Sequence, residues 1–159
     1  MIRTRTARVA IALAATCAAG AAIIPAVASA NTFTADVSNF TGYHLTPESK
    51  SVSDGKYEPD QLPTIAPHSQ HRSAFFARGT GWSGAVSGRV SYEAEMTGQW
   101  GPRGHVTIEF GVPFIGLDSA DCYVDEGMKE AQIQCRVPRA PSGDDPRVEF
   151  VVEKVPPKQ

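Results

Sequence analysis

The stretch that decides the fold class is Val90-Ser91-Tyr92-Glu93-Ala94-Glu95-Met96, in which apolar and polar residues alternate. Alternation with a period of two is typical of a strand that has one face in a core and the other in water. The same pattern recurs on both sides of this stretch, in segments centred on Ala35, Ile108, Ile133 and Phe150. The recurrence predicts an all-β chain.

The segments between these candidate strands are rich in turn residues. The chain has 12 prolines and 14 glycines, and no segment after residue 31 keeps an apolar stripe at helical spacing over three turns. Short strands separated by such turns predict an antiparallel β-sandwich. The polar segment 47–67 predicts a long loop with Leu62 and Ile65 as anchors. Without an internal repeat or a boundary, 31–155 is predicted to be one domain and 156–159 a frayed tail.

The N-terminus has the features of an export signal. Three arginines and no acidic residue precede an apolar run from Val9 to Ala28, and Ala28-Ser29-Ala30 supplies the small residues of a cleavage site. This order predicts a cleavable secretory signal over 1–30 and a secreted, extracellular protein. The alternative is an uncleaved anchor, because the apolar run is nearly long enough to span a bilayer. No later stretch is apolar enough, so no transmembrane segment is expected after cleavage.

The charge of the chain limits its partners. Removal of the three arginines of the signal would shift the formal charge from −2 to −5. An acidic surface disfavours nucleic acid, because binding to phosphates is dominated by lysine and arginine. It also offers no polybasic segment to anionic lipids. We expect no nucleic-acid partner.

Cysteine usage agrees with export. Cys17 would leave with the signal, so Cys122 and Cys135 remain. In an oxidising compartment such a pair is most simply a disulfide. The flanking segments 120–125 and 130–137 predict a C-terminal hairpin, with the two cysteines opposite each other across its strands.

Residues that could carry catalysis are few. His68-x-x-His71 has metal-ligand spacing but no third ligand nearby, so we interpret both as exposed loop histidines. His105 begins a strand and is expected to face solvent. The segment from Gly79 to Gly84 matches neither a phosphate loop nor a nucleophile elbow. We predict no enzyme activity, no catalytic residue, no cofactor and no metal.

Two further patterns are weak. Asn39-Phe40-Thr41 fits an N-glycosylation sequon. Asp118, Asp121, Asp125 and Glu126 cluster near the predicted hairpin, but their spacing matches no calcium loop.

Loop aromatics are the remaining candidates for a binding site. Trp82 and Trp100 both lie in glycine-containing turns. Indole rings on loops often mark contact surfaces, membrane interfaces among them, and the alternative is that they cap the core. With Tyr43 and Phe114 they make a candidate lipid-binding set.

Part of the chain resembles a known family. The succession covers roughly residues 35–118 and consists of Pro63-Thr64-Ile65-Ala66-Pro67, Phe75-Phe76-Ala77-Arg78-Gly79, Gly84-Ala85-Val86-Ser87-Gly88-Arg89-Val90-Ser91-Tyr92, Val106-Thr107-Ile108-Glu109-Phe110-Gly111-Val112-Pro113 and Gly116. It resembles the aegerolysins and the bacterial insecticidal crystal proteins grouped with them. The chain departs from the family in two places. Glu109-Phe110-Gly111-Val112-Pro113-Phe114 stands where those proteins usually carry Trp-Asp-x-Pro-Trp, and the predicted C-terminal disulfide hairpin is unlike the usual members.

The resemblance implies a fold and a function. It implies a small, acidic, single-domain β-sandwich related in shape to the actinoporins. It also implies a lipid-binding, cytolytic or insecticidal protein that docks on membranes through its loops, alone or with a larger partner chain. The absence of the Trp-Asp-x-Pro-Trp aromatics bears on the sphingolipid-type headgroup contact of the family. The alternative function is a secreted, non-catalytic protein-binding module, such as an inhibitor or adhesion domain, that presents the Pro-rich 47–71 segment to its partner.

Overall fold

The alternating segments form strands. The computed structural model describes residues 30–96, 98, 103–143 and 145–156. These residues form nine strands and a short helix: β1 Thr32–Asn39, β2 Tyr43–Ser53, β3 Gly55–Glu58, β4 Ser69–Gly79, β5 Val86–Met96, β6 Gly104–Val112, β7 Ser119–Val124, α1 Glu126–Glu130, β8 Ile133–Arg136 and β9 Arg147–Lys154. Within the described part of the chain, no helix is long and apolar enough to cross a membrane.

The strands build two sheets. One has five strands in the order β3-β4-β1-β9-β8, and the other has four in the order β2-β5-β6-β7. Neighbouring strands are antiparallel except β1 and β9, which run parallel, with Ala35 opposite Val148 and Val37 opposite Phe150. The predicted all-β sandwich is confirmed, and the parallel pair is its one departure from antiparallel pairing among the described strands.

The inward residues of the two sheets make one core. In β6 the alternating residues Val106, Ile108, Phe110 and Val112 are all buried, as the period-two pattern requires. Across the sheets, the rings of Phe33 and Phe110 stack with their centroids 4.3 Å apart. Burial of such aromatic and branched residues is the main contribution to the stability of a domain of this size.

The segment predicted as a loop over 47–67 is only partly a loop. Its first half continues β2 to Ser53, turns at Asp54 and returns as β3, and β2 and β3 lie in different sheets. Gly55 allows this crossing, because a Cβ there would lie 2.5 Å from the Arg78 carbonyl oxygen. The loop prediction is therefore wrong for the first half. The anchors are confirmed, since Ile65 is buried and bridges to Leu45, and Leu62 packs against the core.

The predicted C-terminal hairpin is also wrong. The Cys122–Cys135 disulfide is present, but β7 and β8 belong to different sheets and α1 connects them. The cysteines are thus opposite each other across the sandwich, with Cα atoms 5.4 Å apart, and not across a hairpin. Ala131, expected in a strand, is the C-terminal cap of α1.

Candidate functional site

One end of the sandwich carries exposed apolar side chains. Two loops meet there, 80–85 between β4 and β5 and 113–118 between β6 and β7, because Val86 at the start of β5 pairs with Val112 at the end of β6. Large apolar side chains project from both loops, with exposed fractions of 89% for Trp82, 57% for Phe114, 85% for Ile115 and 92% for Leu117. We call these four residues the apolar tip.

The two loops contact each other through their aromatic rings. The ring centroids of Trp82 and Phe114 are 6.4 Å apart, at an angle of 51°. Offset and tilted arrangements of this kind are favoured by the ring quadrupoles. The pair therefore joins two loops into a single apolar surface.

The apolar tip is free of charge. Neither 79–88 nor 110–117 contains an ionisable side chain. Arg78 and Arg89 flank the first stretch in sequence, and Glu109 and Asp118 flank the second. Thr80 reaches the turn of Asp54, since its backbone N–H donates to the Asp54 carbonyl at 2.8 Å. A hollow of about 290 Å³ lies beside the apolar tip, lined by Asp54, Val112, Leu117 and their neighbours. The surface is thus apolar in the centre, and residues of both charges flank it.

Tyr43 does not belong to this surface. It is the first residue of β2, only 6% exposed, and packs in the core. Its carbonyl accepts a hydrogen bond of 2.7 Å from the Asn39 side chain. The prediction of Tyr43 as an exposed loop aromatic is wrong, because the period of two that buries Leu45 buries Tyr43 as well.

Asn39 itself is buried. Its Nδ2 also donates to the Ala66 carbonyl at 3.0 Å, and its Oδ1 accepts from the Thr41 hydroxyl at 2.7 Å. In the folded chain the amide of the sequon is therefore occupied in joining β1, β2 and the loop before β4.

Trp100 lies outside the described residues. The described strand ends that flank it, Met96 and Gly104, are at the end of the sandwich opposite Trp82. Of the four candidate aromatics, the structure brings together Trp82 and Phe114.

The histidines agree with the prediction only in part. His68 is exposed before β4, as expected, but His71 lies inside β4 and is half-buried. Its Nδ1 has no hydrogen-bond partner among the described residues. His105 is on the outer face of β6, where it contacts carboxylates and not only solvent.

Ile115 and Leu117 were missed by the sequence reasoning. Both lie in Pro113-Phe114-Ile115-Gly116-Leu117, a run of large apolar residues broken by proline and glycine. A run that is apolar but flanked by turn residues is the available signal, because turns are normally polar.

Solved structures share the fold. The crystal structure of the lipid binding protein Nakanori matches with a TM-score of 0.59 and 12% identity, covering 78% of this chain and 71% of that one. The crystal structure of RahU protein in complex with a TRIS molecule matches with a TM-score of 0.55 and 13% identity, covering 82% of this chain and all of that one. At these identities the likeness shows the fold alone.

Sequence comparison adds no assignment. No family model and no curated protein matches the chain. Membership of the aegerolysins therefore stays a prediction from the residues quoted above.

Proposed function

We propose that this protein is a lipid-binding β-sandwich that docks on membranes through the apolar tip. The observation that carries the proposal is the exposure of Trp82, Ile115 and Leu117 together at one end of the sandwich. Exposed apolar patches of this kind mark sites of protein or membrane contact. Tryptophan in particular favours the membrane interface, where its ring is in an apolar layer and its N–H stays hydrated.

The charge distribution favours a neutral bilayer. Asp118, at the end of the second loop, is the one ionisable side chain of 80–85 and 113–118. Asp54 lines the hollow beside the apolar tip. An anionic surface would repel these acids, and no lysine or arginine of the two loops would attract it. We therefore propose zwitterionic phospholipid, with or without sphingolipid, as the target surface.

The lipid-binding neighbour supports the same function. Nakanori, whose fold this chain shares, is described as a lipid binding protein. The resemblance to the aegerolysins points in that direction too. Cytolytic or insecticidal activity, action with a larger partner chain and export by cleavage after Ala30 belong to this proposal as its finer points. We propose no catalytic role.

Co-sedimentation with vesicles tests the proposal. We expect the protein to pellet with phosphatidylcholine vesicles, with or without sphingomyelin, and to pellet less as phosphatidylserine is added. Phe114→Ala should reduce pelleting. Phe40→Ala is the matched control, because Phe40 is 46% exposed at the opposite end of the sandwich. A folded protein that pellets with no lipid, or two variants that behave alike, would contradict the proposal and favour a protein-binding module.

A further inference from the structure

A second cluster lies on the outer face of the four-stranded sheet, at the end opposite the apolar tip. Its centre is His105, the second residue of β6, and Glu93 of β5 is directly opposite in the register. Residues opposite each other in antiparallel strands have Cβ atoms about 5 Å apart. Along β6 the cluster lies roughly 24 Å from Val112, at about 3.4 Å per residue. It is therefore separate from the proposed lipid-binding surface.

The third member comes from a β-bulge. Pro47 pairs with Tyr92 and Ser49 pairs with Ser91, so Glu48 between them is an extra residue in β2. Bulges redirect the side chain of the inserted residue. Here the Glu48 carboxylate lies 3.4 Å from His105 Nε2. One ligand atom from each of Glu48, Glu93 and His105 lies within 4.8 Å of the others.

The imidazole is oriented from behind. His105 Nδ1 is 2.9 Å from Asp125 Oδ2, and because a carboxylate only accepts, Nδ1 carries the hydrogen. In the neutral ring the lone pair is then on Nε2, the atom that faces Glu48. Metal-binding histidines are held in this way, with the far nitrogen donating to a carboxylate.

Asp125 is itself fixed in position. Its Oδ1 accepts the Met128 backbone N–H at 3.1 Å as the N-cap of α1. The Asp125 carboxylate can lie this close to β6 because residue 104 is a glycine. A Cβ at that position would lie 2.2 Å from Asp125 Oδ1. The carboxylate that orients the imidazole is thus held by its hydrogen bond to the first turn of α1, and Gly104 leaves the space that it occupies.

The cluster carries an excess of negative charge. The carboxylates of Glu48, Glu93 and Asp125 all interact electrostatically with the His105 ring. Among the ion pairs of the described residues, no lysine or arginine is joined to any of the three carboxylates. One imidazole, even when protonated, balances only one of them. A divalent cation would balance the others.

We propose that Glu48, Glu93 and His105 form a binding site for a divalent zinc-like cation, with Asp125 orienting His105. One imidazole nitrogen and two carboxylate oxygens are a ligand set that zinc accepts at about 2.0–2.2 Å, which leaves a fourth position for water. Ligand atoms around such an ion stand about 3.3 Å apart by tetrahedral geometry. The ligand atoms now lie within 4.8 Å of one another, and rotation of the two glutamate side chains would bring them to that spacing, since Glu48 is exposed and Glu93 half-exposed.

Isothermal titration of the purified protein with zinc chloride tests the site, with no lipid present. We expect saturable one-to-one binding, which Glu93→Gln and His105→Gln abolish. Asp125→Asn should weaken zinc binding about 10–100-fold, because it alters the partner of a metal-binding histidine. Asparagine still caps a helix, so this variant keeps the Met128 hydrogen bond and the fold.

The matched control is His68→Gln, which removes an exposed histidine outside the cluster and should bind zinc as the unchanged protein does. Histidine ring resonances in NMR spectra give a second readout, in which zinc should shift His105 first. Absence of saturable binding would overturn the proposal. Binding that persists in both Glu93→Gln and His105→Gln would also overturn it, since the ion would then sit elsewhere. Because the titration needs no membrane, its result is independent of vesicle binding.

Discussion

The ring of Trp82 and the ring of Phe114 lie 6.4 Å apart between centroids, although they come from loops that follow different strands. The contact makes the two loops one surface. We therefore expect the rings to act together on a membrane. In vesicle partitioning, Trp82→Ser and Phe114→Ser should each lower binding about tenfold, equivalent to about 1.4 kcal/mol. The double variant should lose less than the sum of the two, because each single change already disturbs the pair.

The stability of these variants serves as the control. Both side chains are mainly exposed, so the free energy of unfolding should change by no more than about 0.5 kcal/mol. Full additivity of the two losses in binding would show that the loops contact lipid independently, against the single surface described here.

The disulfide should stabilise the sandwich by joining its two sheets. Cys122 and Cys135 are 13 residues apart in sequence and close a loop that contains α1. In the chain-entropy model, removal of a disulfide that closes a loop of this length costs about 3 kcal/mol. Denaturant unfolding of the Cys122→Ala/Cys135→Ala variant should show this loss. A reductant should destabilise the unchanged protein by a similar amount and leave the variant unaffected, and a variant as stable as the parent would refute the role.

Close packing against Gly88 should not tolerate a larger residue. A Cβ at this position would lie 2.5 Å from the Tyr57 hydroxyl and 2.8 Å from Phe110 Cζ. Overpacking of this kind costs about 1–3 kcal/mol, so Gly88→Ala should lower the midpoint of thermal unfolding. Gly42→Ala is the matched control, because a Cβ there meets nothing within 4 Å. Equal effects of the two substitutions would contradict the packing.

The ion pair between Asp36 and Arg147 should make stability depend on acid pH. Asp36 accepts bonds of 2.7 Å from Arg147 Nε and Nη2, and one of 2.6 Å from the Ser73 backbone N–H. Burial raises the pKa of Asp36, but these hydrogen bonds more than offset it, so the pKa is below its ordinary value. A lowered pKa in the folded state stabilises the protein above the unfolded pKa, about 3.9. That contribution is lost as the pH falls through the folded pKa.

We therefore expect Asp36→Asn to be about 1–2 kcal/mol less stable than the parent at neutral pH. Hydrogen bonds to charged groups contribute somewhat more when buried, and solvent screens this partly exposed pair. The difference should vanish in strong acid. Unfolding curves measured from pH 7 to pH 2 check this. Glu58→Gln removes an acid from an exposed pair with Lys56 and should change stability little. A constant difference across the whole pH range would show that the loss in Asp36→Asn is not due to ionisation.

The fold class could be predicted from sequence because alternation is local. The spacing of Val106, Ile108 and Phe110 within one strand is enough to predict that they share a buried face. Pairing between strands is not local, and that is where the prediction failed. Two cysteines 13 residues apart fit a hairpin as well as a link between sheets. The structure has the link, because α1 separates β7 from β8 and the two strands lie in different sheets.

The site was predictable in part. Trp82 and Phe114 stood out as aromatics in glycine- and proline-rich turns. The prediction for Tyr43 was wrong because Tyr43 lies two residues before Leu45 in the same strand and faces the core with it. The cluster around His105 was beyond sequence reasoning, since it depends on the register of β5 with β6 and on an inserted residue at Glu48.

Docking through the apolar tip is tested most directly by the fluorescence of Trp82 itself. The chain has two tryptophans, so Trp100→Phe leaves Trp82 as the only indole. On addition of phosphatidylcholine vesicles we predict a blue shift of its emission and quenching by lipids brominated on the acyl chain, because the indole enters the interface. An emission spectrum that stays unchanged, with no quenching at saturating lipid, would contradict the account.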